Sequence, residues 1–194
     1  MSELKALQTV RKYSNFLELC DYFEEGGSIY ILTRHPKRTL LEHVSSSGRS
    51  SMPEKQVNFL VKNIASGLKK LHSKNIVHRG LSLETVGVNV KRDRVKVQIG
   101  SFDLAICLKQ GQPAMTQAIT RTLNSGNKLA PEVEAGKAHN AAADVWALGQ
   151  ILYKLLFALD SDASSDTLAV SFNAGMTAED EIAMLMESCG NTLW

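Results

Sequence analysis

Lysine and arginine are absent after Lys154, and this absence divides the chain electrically. Residues 1–159 hold all 22 basic residues against 13 acids, a balance of +9. The remainder carries seven acids (Asp160, Asp162, Asp166, Glu179, Asp180, Glu181 and Glu187) and reads −7. Such asymmetry is read as a separately solvated acidic segment, with a basic partner for that tail as the second reading. The formal total of +2 gives no reason to expect nucleic acid or an anionic membrane as a partner. Cysteine is scarce: Cys20, Cys107 and Cys189 are far apart, odd in number and lack metal-ligand spacing with the five histidines, so reduced, packed thiols in an intracellular protein are expected. The opening stretch "MSELKALQTVRKYSNF" lacks the apolar centre of a secretion signal. No later stretch reaches membrane-spanning length without a charge or Gln.

The 44% hydrophobic and 22% charged residues, over 194 positions, are those of one globular domain with a sizeable core. "ELKALQTV" has helical spacing and predicts a short helix ending near Tyr13. "NFLELCDYFEEGGSIYILTR" gives two β-rich runs around Glu24-Glu25-Gly26-Gly27, a hairpin. "KRTLLEHV" reads as a short helix and "SSSGRSS" as a polar linker. From Pro53 to Lys74 the residues Val57, Leu60, Val61, Ile64, Leu68 and Leu71 follow one helical face. "VGVNV" and "VKVQIG" form a second hairpin around Lys91-Arg92-Asp93-Arg94, and residues 106–130 read as a long loop. "AADVWALGQILYKLLFAL" is apolar nearly all round and predicts a helix buried at a lobe's centre. A last helix is expected from Thr177, burying Ile182, Leu185, Met186 and Cys189. Strands early and helices later make the class α+β.

The order of four stretches is more specific. "LHSKNIVHRGLSLETV", "VQIGSFDLA", "LAPEV" and "ADVWALGQILYKLL" together resemble the catalytic lobe of eukaryotic protein kinases, with its H-R-D-L-x-x-x-x-N, D-F-G, A-P-E and D-x-W-x-x-G signatures. The resemblance covers residues 3 to about 158 and implies a protein-kinase-like fold, with a truncated N-lobe (αC-like helix plus hairpin) over a mostly helical C-lobe. It divides the chain into an N-lobe remnant with hinge at 1–36, a C-lobe at 37–160 and a divergent acidic helical segment at 161–194.

Matched residue by residue, the motifs keep their framework and lose their chemical groups. The position of the catalytic Asp, which in the family accepts the substrate hydroxyl proton, is Gly80; the Lys two later is Ser82. The metal-binding Asn and the Asp of D-F-G correspond to Thr85 and Ser101, hydroxyls where a hard dication favours carboxylate oxygen. The hinge falls on Arg34, His35 and Pro36, the last without the N–H that would meet adenine, and Gly87 stands where the family puts a large apolar floor. No glycine loop G-x-G-x-x-G and no phosphate Lys is found. Asp103 is the one stand-in ligand, and Glu3 reads as a solvated first-turn acid. Leu7, Leu19, His78 and Phe102 match the family's stacked apolar spine, and Asp144 matches the helix Asp that hydrogen-bonds the backbone at His78-Arg79.

These matches imply a non-enzyme, without catalytic residues, metal or cofactor, acting as a binding or scaffolding subunit of an intracellular complex. A structural part in a cytoskeletal or ciliary assembly is the second reading; an unorthodox ATP-binding Ser/Thr kinase is the third. A chain opening at the family's αC helix would leave the hairpin 16–33 with an unpaired edge and lack an Arg partner for Glu132. A protein partner or self-association, covering that edge and the truncated C-terminal side, is therefore expected. Neither nucleic acid nor membrane is expected to bind, and the location is expected to be cytoplasmic.

Overall fold

The computed structural model describes residues 2–46, 52–92, 94–109 and 129–157. Helix α1 (Ser2–Val10) buries Ala6, Leu7 and Val10, an i, i+1, i+4 face. Strands β1 (Leu19–Glu25) and β2 (Ser28–Thr33) pair antiparallel, Phe23 opposite Tyr30 and Glu25 opposite Ser28. Gly26 and Gly27 between them have φ of 59° and 77°, the left-handed pair that a two-residue hairpin turn needs. The hairpin is its own two-stranded sheet.

Strand β3 (Arg38–Thr39) leads into α2 (Leu40–Ser45). Thr39 Oγ1 accepts from the Glu42 amide, and Glu42 returns a carboxylate to the Thr39 amide, so the capping box lets a helix of only six residues start at a fixed point. Helix α3 (Glu54–His72) buries every member of its predicted apolar face and places Lys69, Lys70 and His72 in its last turn, where the helix dipole favours cations. Each fully buried Leu or Ile on that face contributes about 1.5–3 kcal/mol.

Strand β4 (Ile76–Val77) follows, then β5 (Val86–Lys91) and β6 (Arg94–Ile99), paired antiparallel with Val86 opposite Ile99. The sheet order is β3-β5-β6. Helix α4 (Pro131–Glu134) begins with Pro at its first turn, and α5 (Ala142–Phe157) packs on α3. No side chain of α5 described from Ala142 to Leu156 is exposed, in keeping with its all-round apolarity. One core joins α1, α3, α5 and the β5–β6 hairpin.

Two local expectations change. Ile106 and Cys107, placed in a loop, form strand β7 (Ile106–Cys107) against β4, Ile76 opposite Cys107; two residues are too few to leave a period in the sequence. Cys20, expected to pack, is exposed like every residue of β1 after Leu19, since the hairpin is a two-stranded sheet of its own among the described residues. The linker residues 47–51, most of the 106–130 loop, Cys189 and the helix from Thr177 lie outside the described residues.

Candidate functional site

The backbone at His78–Arg79 is held from a distant helix. Asp144, fully buried in the first turn of α5, accepts the His78 amide at 2.8 Å on Oδ2 and the Arg79 amide at 2.7 Å on Oδ1. His72 Nε2 lies 2.8 Å from the same Oδ2. Three nitrogen partners offset the cost of taking a carboxylate out of water. Arg79 has φ of 63°, a left-handed conformation that disfavours a side chain by about 1–2 kcal/mol, and the Asp144 bond fixes it there. Its guanidinium Nε donates to the Leu104 carbonyl at 2.8 Å.

His78 is itself buried; its Nε2–H donates to the Gly100 carbonyl at 2.8 Å, and its Nδ1 accepts the Gly80 amide at 3.3 Å. Donor on one nitrogen and acceptor on the other is the neutral imidazole. Burial pushes its pKa below the ordinary histidine value, against a smaller opposing pull from Asp144. The ring stands edge-on to Phe102, 5.1 Å between centroids, and Phe102 meets Phe16 in turn at 5.8 Å. Leu7 on α1 and Leu19 on β1 are buried in the same core as Phe102.

The loop from Gly80 to Thr85 closes on itself. Thr85 Oγ1 accepts the Ser82 amide at 2.8 Å and donates to the Gly80 carbonyl at 3.0 Å. The buried Ser82 hydroxyl accepts the Glu84 and Thr85 amides at 3.2 and 3.3 Å. Both hydroxyls thus satisfy local backbone rather than a distant group. A Cβ on Gly80 would come 3.2 Å from Leu104 Cδ1. Ser101, exposed and left-handed at φ 56°, precedes the 3-10 turn Phe102–Leu104.

The hinge is tied down by contacts that the sequence did not reveal. Arg34 pairs with Glu18 at 2.7 Å on the surface. That pair lowers the Glu18 pKa and raises that of Arg34, through their hydrogen bond first and their charges second. His35 Nδ1 lies 2.7 Å from the Pro36 carbonyl. Pro36 is buried over Gly87, where an added Cβ would stand 2.6 Å from Pro36 Cβ. The small residue at the floor and the ring at the hinge therefore form one close contact. The Lys37 amide donates to Asn89 Oδ1 at 2.8 Å, Asn89 Nδ2 to Gln98 Oε1 at 3.1 Å, and Gln98 Nε2 to the Phe16 carbonyl at 2.6 Å. Sequence reasoning missed this amide relay, although a Gln between Val97 and Ile99 in a strand was its available signal.

These pieces surround a cleft of about 370 Å³, lined among others by Glu3, Leu7, Thr33, Pro36, Glu84, Thr85, Gly87, Ser101, Phe102 and Asp103. Gly80 and Ser82 lie in the loop behind it and are not among its lining residues. Glu3, expected to be solvated, is half-buried at the cleft because α1 turns that side toward the 3-10 segment. The described lining has three carboxylates and no Lys or Arg, so it offers no fixed positive charge to a polyphosphate. Among the described residues no group of three or more His, Cys, Asp or Glu could hold a metal ion. The described lining does not fit a metal–nucleotide pair without added cations.

The protein kinase domain family matches residues 1–191. Rat serine/threonine-protein kinase PLK2 is 30% identical over 151 residues, 77% of this chain and 21% of that protein. Xenopus laevis MAP kinase-interacting serine/threonine-protein kinase 2 is 31% identical, over 79% of this chain and 34% of the relative. Drosophila serine/threonine-protein kinase polo is 32% identical, over 74% and 24%. The chain thus spans about a fifth to a third of these relatives' length. These matches overturn the sequence expectation of a non-enzyme, since the proteins it resembles are named as kinases. The sequence expectation rested on Gly80, Ser82, Thr85 and Ser101 alone, and the loss of a side-chain group at single positions does not by itself decide whether a fold is catalytic.

Proposed function

Because the chain belongs to the protein kinase family, we propose that it uses that fold as a protein-binding, scaffolding subunit of an intracellular complex, with the β1–β2 hairpin as its contact surface. One observation carries the reading: Tyr22, Phe23, Ile29, Tyr30 and Leu32 are 38–48% exposed on a two-stranded sheet with no further strand among the described residues. Phe23, Tyr30 and Leu32 share one face of the hairpin, where Phe23 and Tyr30 stack at 4.9 Å and 12°, and Tyr22 and Ile29 lie on the other, so apolar side chains are exposed on both faces. Clustered apolar exposure of this kind marks interaction sites, and a free strand edge recruits a partner strand. No helix among the described residues is long and apolar enough to cross a membrane.

The test is quantitative purification of the full chain from its native cells, beside a Phe23→Glu/Tyr30→Glu variant. A stoichiometric protein that the variant loses, with its melting temperature kept, supports the proposal. Identical co-purifying sets, or a monomer at low micromolar concentration that binds no apolar dye, refute it. A second copy of the chain in place of a partner would show as a dimer of the purified wild type alone.

The names of the relatives favour a second reading, an ATP-binding Ser/Thr protein kinase. A rise in melting temperature with ATP and magnesium, together with phosphate transfer to a Ser/Thr substrate, distinguishes it from scaffolding alone.

A further inference from the structure

A second depression lies on the side of the molecule formed by α2, α3 and the β5–β6 hairpin, about 1050 Å³ in volume. Its apolar lining includes Phe59 and Val90, which are 44% and 46% exposed, and Met52. Its rim is basic: Arg38, Lys55 and Arg94 come from three different elements, His43 lies near Arg38, and no Asp or Glu is among the described lining. Arg38 donates to the Ser46 hydroxyl at 3.1 Å; neither it, Lys55 nor Arg94 has a carboxylate partner among the described residues. An apolar floor ringed by unmatched cations fits an acidic, apolar segment.

We infer that this groove is the docking site of the chain's own acidic segment, residues 158–194. Charge complementarity is the first reason, since that segment has seven acids and neither Lys nor Arg. The second is where the chain arrives. The Met52 amide donates to the Leu155 carbonyl at 3.1 Å, so the last turn of α5 ends against a residue that lines the groove. From Phe157 the tether to Thr177 is about 20 residues, on the order of 60 Å when extended, ample to reach any point of it. The third is pattern: Ile182, Leu185, Met186 and Cys189 recur at helical spacing among Glu179, Asp180, Glu181 and Glu187, an apolar stripe with acidic flanks. Tethering makes this an intramolecular encounter at millimolar effective concentration, so a modest affinity suffices.

Carbodiimide cross-linking of the full chain, at low micromolar concentration in an equal mixture of light and nitrogen-15 protein, tests the assignment. Lys55 is expected to join carboxylates between Asp160 and Glu187 within one isotopic label. A Phe59→Glu/Arg94→Glu variant should lower that yield about fivefold, and raise proteolytic cleavage after residue 157, without changing the melting temperature. An Arg38→Glu/Arg94→Glu variant, which leaves the apolar floor intact, should do the same if the first variant folds poorly. Links only between unlike labels would assign the groove to a second copy. That result, the absence of Lys55 links to the segment, or links that neither variant weakens would overturn the inference.

Discussion

The Arg79 amide donates to Asp144 Oδ1 at 2.7 Å across 65 residues, and this bond fixes Arg79 in a left-handed conformation. A carboxylate on the first turn of α5 thereby sets the shape of the loop that opens at His78. Replacing it by Ala leaves two buried amides and His72 without their acceptor. Asp144→Ala should cost about 3–5 kcal/mol, and Asp144→Asn, which keeps one acceptor oxygen, less. Urea unfolding of both variants measures it; a loss under about 1 kcal/mol for the Ala variant would contradict the assigned role.

The contact of Pro36 with Gly87 should behave as a coupled pair. Gly87→Ala places a methyl against the Pro36 ring and should cost about 1–3 kcal/mol. In a Pro36→Gly background the same change should cost markedly less. A double-mutant cycle by denaturant unfolding reads the coupling, and additive costs would mean that the two residues do not meet.

Two further glycines should differ for a steric reason. At Gly100 an added Cβ runs into Leu17 Cδ1 and Cγ, whereas at Gly80 it meets only the end of the Leu104 side chain at 3.2 Å. Gly80→Ala should therefore cost less than about 1 kcal/mol and Gly100→Ala about 1–3 kcal/mol. Thermal unfolding of the two variants in parallel decides the order.

Acid should weaken the fold through His78. Burial lowers its folded-state pKa, so the unfolded chain takes up the proton first as pH falls below about 6.5, the ordinary histidine value. This contribution is present above that pH and declines below it, until the folded-state pKa is reached. The slope from His78 is at most about 1.4 kcal/mol per pH unit. His43, half-buried near Arg38, is shifted the same way by burial first and Arg38 second, and adds to the effect. Unfolding midpoints between pH 7.5 and 5.5 should fall less steeply in His78→Gln than in His43→Gln; equal slopes would mean that His78 is not held neutral.

Helix α3, both hairpins and α5 were legible because their signals are local. Hydrophobic period, glycine turns and all-round apolarity are each written within twenty residues or fewer. Strand β7 was not legible, because two residues carry no period and their pairing with β4 is made across about thirty residues. The candidate site divides in the same way. Gly80, Ser82, Thr85 and Ser101 could be read off as a pattern, but where their hydroxyls turn, and that Glu3 faces the cleft, follow from packing.

By itself the sequence determined membership in the protein kinase family and the α+β class, since these are properties of residue identity and order. Only the tertiary structure decided that Pro36 sits on Gly87, that the Asn89–Gln98 relay ties the hinge to the strand hairpin, and that a basic apolar groove lies beside the end of α5. Each of these joins residues from separate segments through contacts of a few ångströms. Local propensity does not encode such distances; the packing of the main core does.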